Sequence, residues 1–560
     1  MSQPRTIDLN LMTASIACVN VNALQNEMDL MRNNDNNIKE IVIIGGGTAG
    51  WMSATYLASS LNFNVKITVI ESADHGPIGV GEATIPTIKT EFFDRLGITE
   101  EEWMPKLGGT FKLGIKYANW KTPQEQGGDH YYHVFGEIPL IDEVPLSSLW
   151  VKNFLEGKTK KSFAHSCFAS SVAFDHHLSP KLLDDTKVQH YAYHFDALML
   201  AAYLKEWGKA HGVRHVIDKL THAEQDEQGN ITSVTGVSGQ KYAAEFFIDC
   251  SGFAGFLIDK VYQEPIVSFD DYLLTDRAIA INIPDAPDNR NIRSYTSATA
   301  MKAGWTWEIP LYKRSGNGYV YSSKFINDQQ AQDEIVQFFG KRAEGMNMRP
   351  IKFQSRRHRN SWIKNCVAIG LSSSFLEPLE SSTIYFIYAT LYQLVKAFPQ
   401  KNIDPVLRDK FNAKINYMVD DNRDFIAMHF KTAQREDTPF WRANKYETVI
   451  PESLELILKK QKSGLPIKRP TVDNNNIYPT FKSLFQNFWT ETNYQCILSG
   501  VGYYPNHPYP LLNYRDDIMM KGDELFKQIE KRSEELKKIL PTHYDYLTNL
   551  HEKMKIKEEA

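Results

Sequence analysis

Ile41-Val42-Ile43-Ile44-Gly45-Gly46-Gly47-Thr48-Ala49-Gly50-Trp51 is the stretch that decides the fold. Its apolar, β-branched start suits a buried strand, read as Lys39–Ile44. The glycine loop then opens a helix from Trp51 to about Ser60, and a second strand, Val65–Ile70, ends at Glu71. This is a βαβ unit with the Gly-x-Gly-x-x-Gly spacing. Gly45 permits the tight turn, Gly47 lets the backbone approach a pyrophosphate, and Gly50 lets helix and strand pack closely. With Gly46, Thr48 and Ala49 they lead into a helix N-terminus, whose N–H groups and dipole suit phosphates. Glu71 stands where a carboxylate accepts hydrogen bonds from a ribose. A plain structural turn explains the glycines but not the strand, helix, strand and acid around them.

The rest of the chain narrows the choice of dinucleotide. There is one such fingerprint, whereas an enzyme that reduces its own flavin with a nicotinamide often carries two. Ile248-Asp249-Cys250-Ser251-Gly252 and Ala368-Ile369-Gly370 read as strands ending in small residues, and their order after the βαβ unit favours FAD. Residues 1–38 read as a polar N-terminal extension, residues 39–385 as an FAD-binding body, and residues 386–560 as a mainly helical substrate module. A helix is expected over Asp196–His211. Another, over Lys521–Leu540, would have Leu525, Ile529, Leu536 and Ile539 on its apolar side.

Composition excludes several classes. A net charge of −4 gives no reason to invoke nucleic acid or an anionic membrane. The five scattered cysteines contain no C-x-x-C, which argues against a zinc site or a disulfide framework and for a reducing compartment. There is no long apolar run and no signal-peptide pattern, so a cytoplasmic protein is expected.

Gly304-Trp305-Thr306-Trp307-Glu308-Ile309-Pro310 places two tryptophans on one face of an extended segment. Alone, that is the pattern of a core pair on a strand. Other distinctive stretches are Gly79-Val80-Gly81-Glu82-Ala83-Thr84, Phe111-Lys112, Tyr132-His133-Val134-Phe135-Gly136, His194-Phe195-Asp196 and Phe375-Leu376-Glu377-Pro378-Leu379-Glu380-Ser381. Together, over roughly residues 39 to 550, the chain resembles the flavin-dependent tryptophan halogenases. It is most similar to the type acting at C7 in pyrrolnitrin and rebeccamycin biosynthesis, two antibiotic pathways.

The resemblance implies an α/β fold: a Rossmann-like, three-layer FAD-binding body carrying a mostly helical module. It implies FADH2 from a separate flavin reductase that reacts with O2, so that chloride or bromide is oxidised to hypohalous acid. Trp305 and Trp307 would be bulk between flavin and substrate, and Lys112 and Glu380 the catalytic pair. An ammonium can polarise hypohalous acid, or a neutral amine can form a haloamine. A carboxylate can stabilise the cationic ring intermediate and help remove its proton. Besides the glycine loop and Glu71, the matching FAD positions are Ser72, Ile78, Val80, Ala83, Leu371 and Ile384. Those for substrate are His133, Phe135, Tyr478, Phe488, Trp489 and Asn493.

There are departures. Halide is held by backbone N–H groups of a Thr-Gly pair in the family, and Ser382-Thr383 stands there, which makes bromide a serious option. A family tyrosine is replaced by Ile477 and a glutamate by Leu484, which leaves another indole derivative open as substrate. An FAD-dependent aromatic monooxygenase and a silent FAD-binding protein are the competing readings. The tryptophan pair and the Lys112–Glu380 pair argue against them. The resemblance favours C7 over C6 and C5, and it leaves a homodimer open.

Overall fold

The computed structural model describes residues 36–74, 82–285, 289–467 and 488–559. The βαβ unit is present as β1 (Glu40–Ile44), α1 (Thr48–Ser60) and β2 (Lys66–Glu71). The helix begins three residues before the expected Trp51, because Gly47 is extended and acts as N-cap, so Thr48, Ala49 and Gly50 wind into the first turn. With β3 (Arg214–Ile217), β4 (Phe246–Asp249), β5 (Trp362–Ile363) and β6 (Cys366–Ala368), the strands form a sheet in the order β3-β2-β1-β4-β6-β5. All pair in parallel except β5, which turns back antiparallel on β6.

Side chains alternate across a strand, so the sheet presents two different faces. Ile41 and Ile43, with Val69, Phe246 and Ile248, share the main core with Trp51, Tyr56 and Leu57 of α1. Val42, Ile44, Ile70 and Phe247 point the other way and pack with Ile231, Val234 and Tyr242. Those three belong to a small antiparallel sheet of strands Leu220–Gln225, Ile231–Gly236 and Lys241–Ala243. Helices, parallel sheet and antiparallel sheet make three layers, the α/β architecture expected. The expected helix after His194-Phe195-Asp196 is Ala197–Ala210, capped by the Asp196 carboxylate, which accepts from the Leu198 and Met199 N–H groups.

A seven-stranded sheet runs Met348–Lys352, Arg277–Pro284, Arg314–Tyr321, Gly304–Leu311, Thr296–Ala300, Gly114–Ala118, His130–Val134. It carries Trp305, Trp307 and His133. A short sheet of Glu82–Ala83, Ala192–Phe195 and Thr110–Lys112 carries Lys112. From Thr383 the described α-helices include α2 (Thr383–Lys396), α3 (Pro405–Thr432), α4 (Glu491–Gly500) and α5 (Asp516–Ile539). On α5, Leu525 and Ile529 are half-buried against the core and Leu536 is buried. Ile539, expected on the same side, is 48% exposed. The helix stops there, and the extended Leu540 fills the core position instead.

Candidate active site

The glycine loop is shaped by close backbone packing. A Cβ on Gly50 would collide with the Gly45 carbonyl oxygen, and one on Gly45 with that of Cys250. A Cβ on Gly47, in contrast, would meet nothing within 4 Å, so this turn of backbone faces open space at the start of α1. Gly370, at a left-handed φ of 76°, comes close enough that an added Cβ would lie 2.8 Å from Ala49 Cβ. Leu371 follows Gly370, and Ile384 is buried in the first turn of α2. Glu71 closes β2 with its carboxylate held by His215 Nε2 (2.8 Å) and Lys205 Nζ (3.3 Å). Thr48 Oγ1 donates to the Ala197 carbonyl, Ser72 Oγ accepts from the Asp74 N–H, and Ala83 is buried opposite His194. An open glycine turn, a helix N-terminus and an oriented acid at the next strand end fit FAD. Ile78, Val80 and Tyr478 lie outside the described residues.

Gly50→Ala is expected to abolish FAD retention and lower the melting temperature, because the intruding methyl meets backbone rather than a flexible side chain. Flavin fluorescence after desalting, with a thermal melt, measures both.

Lys112 is fully buried at the end of its strand. Its Nζ donates to the Thr84 carbonyl (3.1 Å) and to Ser381 Oγ (2.8 Å), and lies 5.2 Å from the centre of the Phe135 ring. Burial pushes the ammonium down to about 7, although the nearby Glu380 carboxylate pulls the other way. The pair expected from sequence therefore meets through Ser381. That residue adopts a left-handed φ of 59°, a conformation that costs a non-glycine residue and persists where the surroundings impose it.

Glu380 sits at the end of the turn Pro378–Glu380 and is buried. Its Oε1 accepts from Tyr117 Oη (2.6 Å), and His429 Nε2 lies 2.8 Å from the same oxygen. His133 Nδ1 lies 3.0 Å from Oε2. Burial alone would raise this carboxyl. The imidazoles of His133 and His429 outweigh that and hold it well below the usual carboxylate range. Glu377 has the opposite fate: burial lifts it to about 7 while its Oε2 accepts a single 2.8 Å bond from Trp305 Nε1. Two carboxyls three residues apart are thus pushed in opposite directions by their environments.

Trp305 and Trp307 are buried on one strand with ring centres 6.4 Å apart, and Trp307 lies over the bare Cα of Gly318. Around Glu380 is an aromatic wall. Trp489 stacks on Phe425 at 3.9 Å and sits 6.1 Å from His133, and Phe488 stacks on Tyr385 at 4.6 Å. Phe135 lies 6.5 Å from His133. Asn493 Nδ2 is 3.0 Å from His133 Nε2, and its Oδ1 accepts from the Thr490 N–H at the start of α4. Both ends of its amide are thus engaged within the protein. Ser382 caps α2 and Thr383 begins it, so their N–H groups belong to the helix end that favours anions. Tyr117, Phe425 and His429 were not among the residues singled out from sequence. The one trace Phe425 and His429 left is their i, i+4 spacing, which puts them on one face of α3 in a stretch, residues 424–430, that is buried all round.

The tryptophan halogenase family model matches residues 40–517. The tryptophan 7-halogenase KtzQ of Kutzneria sp. (strain 744) is 42% identical over 92% of this chain and 99% of its own. The tryptophan 6-halogenase ThaL of Streptomyces albogriseolus is 41% identical over the same shares. The solved structure of Tar14, a tryptophan C-6 flavin-dependent halogenase (chlorinase) from taromycin biosynthesis, superposes with a TM-score of 0.82 at 35% identity, covering 91% of this chain and 99% of that one. Sequence, fold and site geometry agree: this chain belongs to the tryptophan halogenase family and is a flavin-dependent halogenase.

Proposed function

We propose that the enzyme halogenates the indole of free tryptophan at C7, with Lys112 and Glu380 as its catalytic residues. The observation that carries this is the single buried site in which Lys112, through Ser381, meets a Glu380 carboxylate walled by His133, Phe425 and Trp489. The Gly45–Gly50 loop would hold FAD, which as FADH2 from a separate reductase would react with O2 and so supply the two-electron oxidation of halide to hypohalous acid. Lys112 holds that acid by its third N–H, the other two being used on Thr84 and Ser381. Glu380 stabilises the cationic ring and takes its proton. Trp305 and Trp307 separate flavin from substrate, and the N–H groups of Ser382 and Thr383 hold the halide. Phe135, Phe488 and Trp489 give flat surfaces to an indole. No helix among the described residues is long and apolar enough to cross a membrane. A cytoplasmic setting, where the reductase partner works, suits this reading. NMR of the isolated product tests the position. A 7-halotryptophan supports the reading, and a 6- or 5-halo product overturns the position.

Two further outcomes are expected. If Lys112 acts as a donor, the acidic form is the active one, so the rate falls as pH rises through about 7. A rate that rises instead over the same range would favour the haloamine route. Thr383, β-branched where relatives carry glycine, restricts the backbone at the halide site. Bromide is therefore expected to outcompete chloride at equal concentration, and a chlorinated product in excess would contradict this.

A further inference from the structure

The hydrogen bonds around Glu380 assign a proton to each ring nitrogen nearby. Asn493 Oδ1 accepts from the Thr490 backbone N–H, an obligate donor, so Asn493 presents its Nδ2–H to His133 Nε2 (3.0 Å). His133 Nε2 therefore accepts, and His133 is a neutral imidazole whose Nδ1–H goes to Glu380. His429 is placed differently. Its Nδ1 is 2.7 Å from the Phe425 carbonyl, an obligate acceptor, so Nδ1 carries a proton. Its Nε2 is 2.8 Å from Glu380 Oε1. If Glu380 is a carboxylate and His429 neutral, two lone pairs face each other at hydrogen-bond distance in a fully buried site. The contact closes only if one proton lies between them, on the imidazole or on the carboxyl.

We propose that His429 is the proton-holding partner of Glu380, and that the pair stores the one proton that halogenation must first deliver and then recover. This rests on the reading of Lys112 and Glu380 above. The resting pair is imidazolium and carboxylate. When the ring attacks hypohalous acid, a C–halogen bond forms and the halogen–oxygen bond breaks. The departing oxygen takes the stored proton from His429 through Glu380, giving water. The cationic ring then loses its proton to Glu380, its C–H electron pair returns to the ring, and the proton passes back to His429. Hypohalous acid and arene give haloarene and water, and the pair ends as it began.

The placement suits this role. His429 packs edge-on behind the Phe425 ring at 5.0 Å, with Tyr117 at 5.2 Å and Trp120 at 6.2 Å, and its Nε2 is engaged by Glu380, so it reaches the reaction through Glu380 and is a positioning residue. The other titratable groups facing Glu380 are Lys112, His133, Tyr117, Tyr131 and Cys496. Burial raises the two phenols and the thiol, so they stay protonated and do not exchange the stored proton.

His429→Gln keeps a side-chain amide able to donate to Glu380 but holds no extra proton, and His429→Phe keeps only bulk. In His429→Gln, kcat is expected to fall about 10²-fold with KM for tryptophan and FAD retention within a few-fold of the parent. Its rate should climb as pH is lowered, since Glu380 must then be protonated from solvent. His429→Phe should lose both kcat and FAD-independent thermal stability. A kcat within threefold of the parent with an unshifted pH profile in His429→Gln would overturn the proposal, leaving a packing role. A second readout does not depend on turnover. In ¹⁵N-histidine-labelled full-length protein, the His429 imidazole, assigned by the loss of its signals in His429→Gln, is expected to carry protons on both nitrogens at neutral pH and to be neutral in Glu380→Gln. A His429 ring protonated on Nδ1 alone would overturn the proposal even if the enzyme proves to act on another substrate.

Discussion

Lys112→Ala is expected to lower kcat for halogenated tryptophan about 10³-fold, the cost of losing a preorganised donor at the reacting atom. FAD retention should be unchanged, because Lys112 meets Thr84, Ser381 and Phe135 rather than the glycine loop. Stability should change little, since two effects oppose each other. Removing a buried amine relieves the desolvation that pushes it down to about 7. Its loss also leaves the Thr84 carbonyl and Ser381 hydroxyl without their donor. Steady-state product formation beside flavin retention and a melting curve separates these outcomes. Product at more than a tenth of the parent rate would remove Lys112 from the chemistry.

Glu380→Gln is expected to lower kcat about 10² to 10³-fold with KM for tryptophan nearly unchanged. With its NH₂ at the Oε1 position the amide can donate to His429 Nε2 while its oxygen accepts from His133, and Tyr117 keeps the Leu379 carbonyl at 3.3 Å, so most of the surrounding bonds survive. The main losses are the negative charge and the basic site. Glu377→Gln is the matched control. That carboxyl is pushed up to about 7 by burial and holds only the Trp305 indole N–H, so the same change should cost far less. Equal losses in the two variants would contradict the assignment of charge to Glu380.

The FAD cradle was legible because its physics is local. The alternation of Ile41 to Ile44, the glycines at fixed offsets and Glu71 each constrain their neighbours, and the βαβ unit lands within a residue or three of its expected bounds. Lys112 and Glu380 were different. A buried lysine on a three-residue strand leaves no periodic mark, and only the resemblance singled out Phe111-Lys112 and Leu379-Glu380-Ser381. Tyr117 and His429 were missed because they reach Glu380 across 263 and 49 residues of sequence, from elements whose pattern shows only that they are buried. His133 and Asn493 are expected substrate contacts from the resemblance, and the structure adds hydrogen bonds from them to Glu380 and to the start of α4, a pairing of distant side chains that no spacing encodes. Ile539 was misplaced because helical periodicity carries no mark of where the helix ends.

In the proposed mechanism the buried pair of Lys112 and Glu380 would use a halide-derived oxidant to make a carbon–halogen bond on tryptophan. Incubation of the purified enzyme with tryptophan, FAD, a flavin reductase and equimolar chloride and bromide, with products read by mass spectrometry, tests that step. The expected product is tryptophan carrying one halogen, dependent on halide and absent in Lys112→Ala. Hydroxylated tryptophan formed without halide, or unhalogenated tryptophan throughout, would contradict it.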